Sequence, residues 1–186
     1  MTSDPPQSSF QVERMDGASA AHAEGAFVLV YAEAFAESPY DKTAQDVEAN
    51  FRRFRSQVRK ATFRAALARS VEGEPIGIAY GYPLSATTGW RDRLSTPVAD
   101  EVRREDGHRT FGLIELAVRA PWRKQGVARS LHEAILRAAT EERVLLNARP
   151  DATAAQATYR SWGYRKVGEA RPWDGAALHD VMVLAL

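Results

Sequence analysis

The stretch Phe111 to Arg137, FGLIELAVRAPWRKQGVARSLHEAILR, constrains this chain more than any other. Phe111 to Val118 is apolar apart from Glu115, and long enough for a buried strand. Pro121 ends it, because proline cannot donate to a sheet ladder. A basic loop follows, Arg123-Lys124-Gln125-Gly126-Val127-Ala128, after which Leu131, Ile135 and Ala138 recur at helical spacing. Strand, tight loop and helix are therefore predicted in direct succession. Arg123 and Arg129 stand at the opening of the helix, where the dipole disfavours cations, so an anionic partner is expected to offset them. Free amides of a first helical turn, a glycine that lets the backbone approach closely, and flanking arginines together make a phosphate cradle.

The spacing of Arg123, Gly126 and Ala128 resembles the acyl-CoA loop of the GNAT superfamily of N-acyltransferases. That loop reads Arg or Gln, two residues, Gly, one residue, then Gly or Ala. Tyr159-Arg160-Ser161-Trp162-Gly163-Tyr164 is similar to the family's second element, a tyrosine, three residues, glycine and an aromatic. The resemblance implies an α+β fold of three layers, a mixed, mostly antiparallel sheet flanked by helices and splayed between its fourth and fifth strands. It covers the chain from about residue 10 to the last residue, read as a single N-acetyltransferase domain.

Composition narrows the partners. The 186 residues suffice for one domain with a full core. A net charge of +1 makes no case for nucleic acid or an anionic membrane. The absence of cysteine excludes disulfides, thiolate zinc sites and an acyl-cysteine intermediate. Residues 1–9, polar and with two prolines, are expected to be a disordered tail rather than part of a signal peptide. No apolar run approaches the roughly 18 residues of a spanning helix, and the expected location is the cytoplasm. Between Phe51 and Ser70 lie Arg52, Arg53, Arg55, Arg59, Lys60, Arg64 and Arg69 with no acid, read as a solvated helix face rather than a patch for an acidic ligand.

The remaining pattern predicts a strand at Phe10 to Met15 and helices at Ser19 to Ala36 and Thr43 to Lys60. A hairpin follows, from Thr62 to Ser70 and from Pro75 to Tyr82. Gly77, Ala79 and Gly81 make one face of its second strand small, so something packs or binds close to the backbone there. Pro83 to Thr110 is a long insertion containing Trp90. Arg143 to Ala148 reads as a strand. Thr153 to Gln156 matches a capping box opening a helix that runs to Trp162, and Gly163 suits a left-handed cap. Tyr164 to Ala170 and His179 to Leu186 are the closing strands.

What the resemblance implies about chemistry is specific. Acetyl-CoA is the co-substrate, and a primary amine attacks it directly within a ternary complex. Leu116, Ala117 and Val118 pair with the pantetheine arm. Arg123, Lys124, Gln125, Gly126, Val127, Ala128 and Arg129 hold the pyrophosphate. Tyr159 matches the tyrosine that protonates the departing thiolate. Ala152 occupies a slot where many relatives carry a cofactor-touching asparagine, and the proline usual two residues after the strand's valine is displaced by one to Pro121. Glu115, the lone charge in an apolar strand, is the expected base, since burial raises a carboxyl's pKa; a substrate ligand and a structural glutamate are the other readings. Glu33 and Glu37 read as solvated helix carboxylates. Tyr40, Phe35 and Trp90 are expected to wall the substrate site. The four histidines show no metal spacing, and no metal is expected. The reading is an N-acetyltransferase acting on a small-molecule amine, with a homodimer compatible. The alternative is a non-catalytic acyl-CoA-binding or regulatory module of the same fold.

Overall fold

The computed structural model describes residues 10–186, and the expected tail at residues 1–9 lies outside them. In chain order the elements are β1 (Phe10–Met15), α1 (Gly17–His22), α2 (Glu24–Ala34), α3 (Ala44–Gln57), β2 (Arg64–Ser70), β3 (Pro75–Pro83), α4 (Asp100–Arg103), β4 (Thr110–Val118), α5 (Val127–Leu136), β5 (Arg143–Ala148), α6 (Thr153–Ser161), β6 (Arg165–Ala170) and β7 (His179–Ala185). The strands are hydrogen-bonded in the order β1-β2-β3-β4-β5-β7-β6. β4 and β5 are parallel, whereas β1–β2, β2–β3, β5–β7 and β6–β7 are antiparallel. The fold is thus α+β with a mixed, mostly antiparallel sheet. The parallel pairing joins only Thr110–Gly112 to Arg143–Leu145, although β4 runs on to Val118 and β5 to Ala148.

One compact unit runs through Gly81 and again from Glu115 to Ala139. Its core is aromatic: Phe27, Phe51, Phe54 and Tyr80 are each at most 1% exposed. Phe54 lies 5.3 Å from Phe27 and 5.1 Å from Tyr80, ring centre to ring centre. α3 delivers two of these rings because Phe51 and Phe54 fall on one face, and Thr43 with Asp46 forms a reciprocal cap at its start. The opposite face of β3 is where the small residues point, and α5 fills it. A Cβ on Gly77 would lie 2.9 Å from both Leu131 Cδ1 and Val127 Cγ1. The small face is therefore a packing surface for a helix. The single helix expected from Ser19 to Ala36 is instead α1 and α2, broken at Ala23. An alanine-rich run carries no turn signal. At the start of α1, Gly17 lies against the Val58 carbonyl, and Ala20 is fully buried.

The second unit comprises Tyr82–Ile114 and Thr140–Leu186. The insertion carries a 3₁₀ turn, Gly89–Arg93, and the short α4. It then runs beside β6: Ser95 N–H donates to Glu169 O at 2.7 Å, and Arg171 N–H to Arg93 O at 3.1 Å. An edge strand's open donors and acceptors are thereby covered. Trp90 packs on the buried cluster of Leu84, Leu145, Ala170 and Val181. A buried ion pair anchors the insertion: Arg143 donates to Glu105 Oε1 at 2.9 Å, and Trp90 Nε1 and Thr110 Oγ1 donate to the same oxygen at 3.1 and 2.9 Å. Removing one partner of a buried pair strands the other in a poor solvent. Glu105→Ala is expected to cost about 3–5 kcal/mol of unfolding free energy in urea titration. Asp174→Ala, at an ion pair with Arg93 whose carboxylate is 96% exposed, should cost less than about 1 kcal/mol.

Candidate active site

β4 is tied down at its C-terminal end. Arg119 N–H donates to Ile76 O at 2.9 Å, and its guanidinium pairs with Glu33 at 2.6 Å and donates to Pro75 O at 3.0 Å. A 3₁₀ turn at Ala120–Trp122 holds Pro121. Lys124 and Gly126 then both take positive φ, 60° and 84°. That backbone turns successive amides toward one side, the arrangement of an anion nest. α5 begins at Val127 with no side-chain cap, and Ser130 N–H to Gly126 O, 3.0 Å, is its first-turn bond. The amides of Val127, Ala128 and Arg129 precede that bond and have no helical acceptor. Among the described residues, and apart from its two chain neighbours, no atom lies within 4 Å of where a Cβ on Gly126 would sit. The cradle is open and polar, and it fits a phosphate.

The loop's arginines find their anionic partners within the chain. Arg123 pairs with Glu37 at 3.2 Å and donates to Val118 O and Ala34 O, both at 3.1 Å. Arg129 pairs with Glu133 at 2.9 Å, and Gln125 Nε2 donates to Pro121 O at 2.9 Å. Glu33 on α2 and Glu37 in the turn after it, expected as solvated carboxylates, thus each hold an arginine from the end of β4 or the loop beyond it.

Glu115 lies earlier on β4, half-buried. Among the described residues, no hydrogen bond or ion pair reaches its carboxylate. Burial pushes its pKa from 4.5 up to about 8, and the positive charges of Lys42 and Arg53 pull it part of the way back. Its charge in turn raises the pKa of Tyr31 and Tyr80, adding to the larger effect of their own burial. Tyr80 accepts from Asn50 Nδ2 at 3.2 Å, and Asn50 Oδ1 accepts from Arg53 at 3.4 Å. Phe35 and Tyr40 extend this group: Tyr31 to Phe35 is 4.8 Å and Phe35 to Tyr40 is 4.7 Å. The structure therefore gathers Phe35, Tyr40 and Tyr31 on one side of the unit. Leu116 and Val118 are half-buried and Ala117 is buried.

In the second unit, Tyr159 occupies the last turn of α6. Gly163 N–H donates to Arg160 O at 3.0 Å and Tyr164 N–H to Tyr159 O at 3.0 Å, with Gly163 at φ 96°. These are the two bonds of a Schellman cap, and the hydrophobic contact that accompanies one is present, since the Tyr159 and Tyr164 rings are 5.5 Å apart. Trp162 lies edge-on to Tyr159 at 5.9 Å. The helix does not begin with the expected capping box. Ala152 is its N-cap, and Gln156 turns inward, 4% exposed, to donate to Arg149 O and Asp180 Oδ2. A buried carboxylate outcompeted the backbone amide for that side chain. Trp90, expected in the substrate wall, sits on the Leu84 cluster.

A family model, described as the acetyltransferase (GNAT) family, matches residues 27–164. The chain belongs to the acetyltransferase (GNAT) family. The family draws its acetyl group from acetyl-CoA. No curated protein matches the sequence significantly. Among solved structures it is similar to the PaiA N-acetyltransferase of Thermoplasma acidophilum in complex with coenzyme A, at 10% identity and TM-score 0.63, over 96% of this chain and 99% of that one. YncA of Salmonella typhimurium, solved with its cofactor acetyl-CoA, is 14% identical with TM-score 0.62, over 95% and 94%. AAC(6')-Iy in complex with the bisubstrate analogue CoA-S-monomethyl-acetylneamine is 15% identical with TM-score 0.57, over 85% and 92%. These likenesses carry the fold.

For this GNAT-family chain, sequence reasoning missed the electrostatic coupling of Tyr31 and Tyr80 to Glu115, and Asn50 as the partner of Tyr80. One signal was present: Asn50 falls on the apolar face of α3, three residues after Val47 and four before Phe54, where a polar residue needs a buried partner. Two outcomes follow from the geometry. Gly126→Ala puts a side chain where φ is 84°, which disfavours L-residues by roughly 1–2 kcal/mol, and sets a methyl over the open amides. It should weaken acetyl-CoA affinity about tenfold in calorimetry. Glu115 has a folded pKa near 8 against 4.5, so its proton-linked stability is complete below pH 4.5 and lost as pH rises through about 8. Glu115→Gln should therefore be more stable than the parent at pH 9, with the advantage vanishing below pH 4.5, in parallel denaturant titrations.

Proposed function

We propose that this chain transfers the acetyl group of acetyl-CoA to a primary amine of a small molecule, by direct attack in a ternary complex. The observation that carries this reading is the pairing, on one strand–loop–helix, of an open amide cradle with an unpartnered carboxylate whose pKa stands near 8. The cradle amides of Val127, Ala128 and Arg129 would hold the pyrophosphate, and Arg123 fixes the loop by clamping it to the ends of β4 and α2. Leu116, Ala117 and Val118 would offer strand edge to the pantetheine arm. A thioester activates the acetyl carbonyl for attack.

Glu115 takes the proton that the ammonium must lose before its nitrogen can attack. A pKa near 8 suits a base in this position, because the carboxylate is basic enough to accept the proton and still substantially ionised slightly above neutrality. The carbon–nitrogen bond forms as the carbon–sulfur bond breaks, and the second proton shed by the new amide nitrogen passes to water, from which Tyr159 is later reprotonated. Tyr159 gives its phenolic proton to the departing thiolate. The Schellman cap supports that assignment, because it holds the tyrosine's ring by backbone bonds on the C-terminal turn of α6. The bisubstrate analogue bound by AAC(6')-Iy, which joins coenzyme A to an aminoglycoside fragment, also agrees with a ternary route.

Free-thiol release from acetyl-CoA, followed across a panel of primary amines and over a range of pH, tests this reading. Release should require the amine, rise with pH to a plateau above about 8, and fall about 10²–10⁴-fold in Glu115→Gln with loss of the ascending limb. Tyr159→Phe should lower kcat with little change in the KM for acetyl-CoA. Tight acetyl-CoA binding without release from any amine would replace this reading with a binding module.

A further inference from the structure

The insertion between β3 and β4 gathers cations that its own acids engage only loosely. Around an open pocket of about 300 Å³ stand Arg91 and Asp92 of the 3₁₀ turn, Asp100 and Arg103 of α4, and Arg104 just after it. All of them lie in the second compact unit. The backbone beneath them is held by two other arginines. Arg109 Nη1 donates to Glu101 O at 2.7 Å and to Arg104 O at 2.9 Å, and Arg143 Nη2 donates to Val102 O at 2.8 Å. Carbonyls at the end of α4 lack helical donors, and these two side chains, 10% and 7% exposed, supply them. The turn that presents Arg103 and Arg104 is therefore fixed before any ligand arrives.

The pocket's arginines differ from their neighbours in how they are paired. Elsewhere in the unit Arg93 meets Asp174 at 2.6 Å and Arg143 meets Glu105 at 2.9 Å. Around the pocket, Arg103 stands 3.5 Å from Asp100, and Arg104 stands 3.5 Å from Glu101 and 3.7 Å from Asp106. Those separations exceed the roughly 2.7–2.9 Å of a charge-assisted hydrogen bond. Glu101 and Asp106 are already spent. Glu101 accepts from Arg109 Nη2 at 3.1 Å, and Asp106 accepts from the His108 and Arg109 amides at 2.8 Å each. Arg91 donates to Ala86 O at 2.7 Å. Arg103 Nε is buried and has no hydrogen-bond partner among the described residues. A guanidinium offers five N–H donors in a planar fork, so most of the donors on these three side chains stay open. An oxyanion in the pocket satisfies them in the two-pronged geometry that guanidinium groups favour.

The acids take the rim. Asp92 is exposed and the Asp100 side chain fully so, whereas Arg91 and Arg103 are half-buried. Carboxylates so placed accept hydrogen bonds from hydroxyl groups. The volume lies at the small end of small-molecule pockets, which run from about 300 to 1,000 Å³.

We propose that this pocket is a second ligand site. Its ligand is a small hydroxylated molecule carrying a multiply charged oxyanion, a phosphate or a set of carboxylates. The oxyanion rests on Arg91, Arg103 and Arg104, and the hydroxyls face Asp92 and Asp100. The site stands whether or not the chain transfers acetyl groups, since the Gly126 cradle and Glu115 belong to the first unit.

Calorimetry on the full chain tests this, with glucose 6-phosphate and citrate as probes and with glucose and acetate as controls. A probe should bind about tenfold or more tighter than either control, and whichever probe leads identifies phosphate or carboxylate as the oxyanion. Saturating acetyl-CoA should leave that binding unchanged. The double variant Arg103→Ala/Arg104→Ala should weaken it about tenfold or more with the thermal midpoint held, because neither side chain makes a hydrogen bond within the described residues. Should the double variant not fold, Arg91→Gln, on the separate 3₁₀ turn, carries the same expectation. Full affinity in the folded variant, displacement of the probe by acetyl-CoA, or probe binding no tighter than that of the controls overturns the inference. Each of those results leaves the acetyl-transfer reading standing.

Discussion

A single guanidinium, that of Arg123, reaches the last carbonyl of β4, a carbonyl at the end of α2 and the carboxylate of Glu37. Carbonyls at a helix end lack helical donors, and those at a strand end lack ladder partners, so one fork-shaped donor satisfies both. Because the side chain is spent inward, the loop's outward face is left to backbone amides. An anion there meets fixed dipoles rather than a mobile arginine.

Two glutamates in this chain illustrate how partners decide what burial does. Glu105 has a side chain that is fully buried, and one of its oxygens accepts from Trp90, Thr110 and Arg143. It stitches an insertion to strands β4 and β5. Glu115 has no such donors among the described residues, and desolvation moves its titration toward the neutral range. Charge-assisted hydrogen bonds offset the loss of water at the first site. At the second, the missing partners leave a carboxyl able to exchange a proton near physiological pH, at the expense of stability when it ionises.

Much of the organisation was legible along the chain. The apolar run with Glu115, the loop around Gly126 and the tyrosine–glycine–aromatic signature each encode a local backbone requirement. Gly126 and Gly163 do take positive φ, as their positions demand. The second signature has a physical basis in the Schellman cap, whose bonds require glycine at one place and favour paired apolar rings at the flanking ones. Other features were not legible. The break at Ala23 falls in an alanine-rich run that gave no local sign of it. The role of Gln156 was set by Asp180, 24 residues further on, which drew the side chain away from its own helix end. The small face of β3 signalled close approach, and only the packing of Leu131 and Val127 identified a helix there.

By itself, then, the sequence determined the order of elements, the GNAT family and the place of the cradle, because turn geometry, helix initiation and hydrophobic period act over a few residues. Tertiary structure alone decided which charges face one another. Lys42, Asn50, Arg53, Tyr80 and Glu115 come from a turn, a helix and two strands, and nothing in their local sequence relates them. Electrostatic coupling depends on distance in space and on burial, and both are set by how the elements pack.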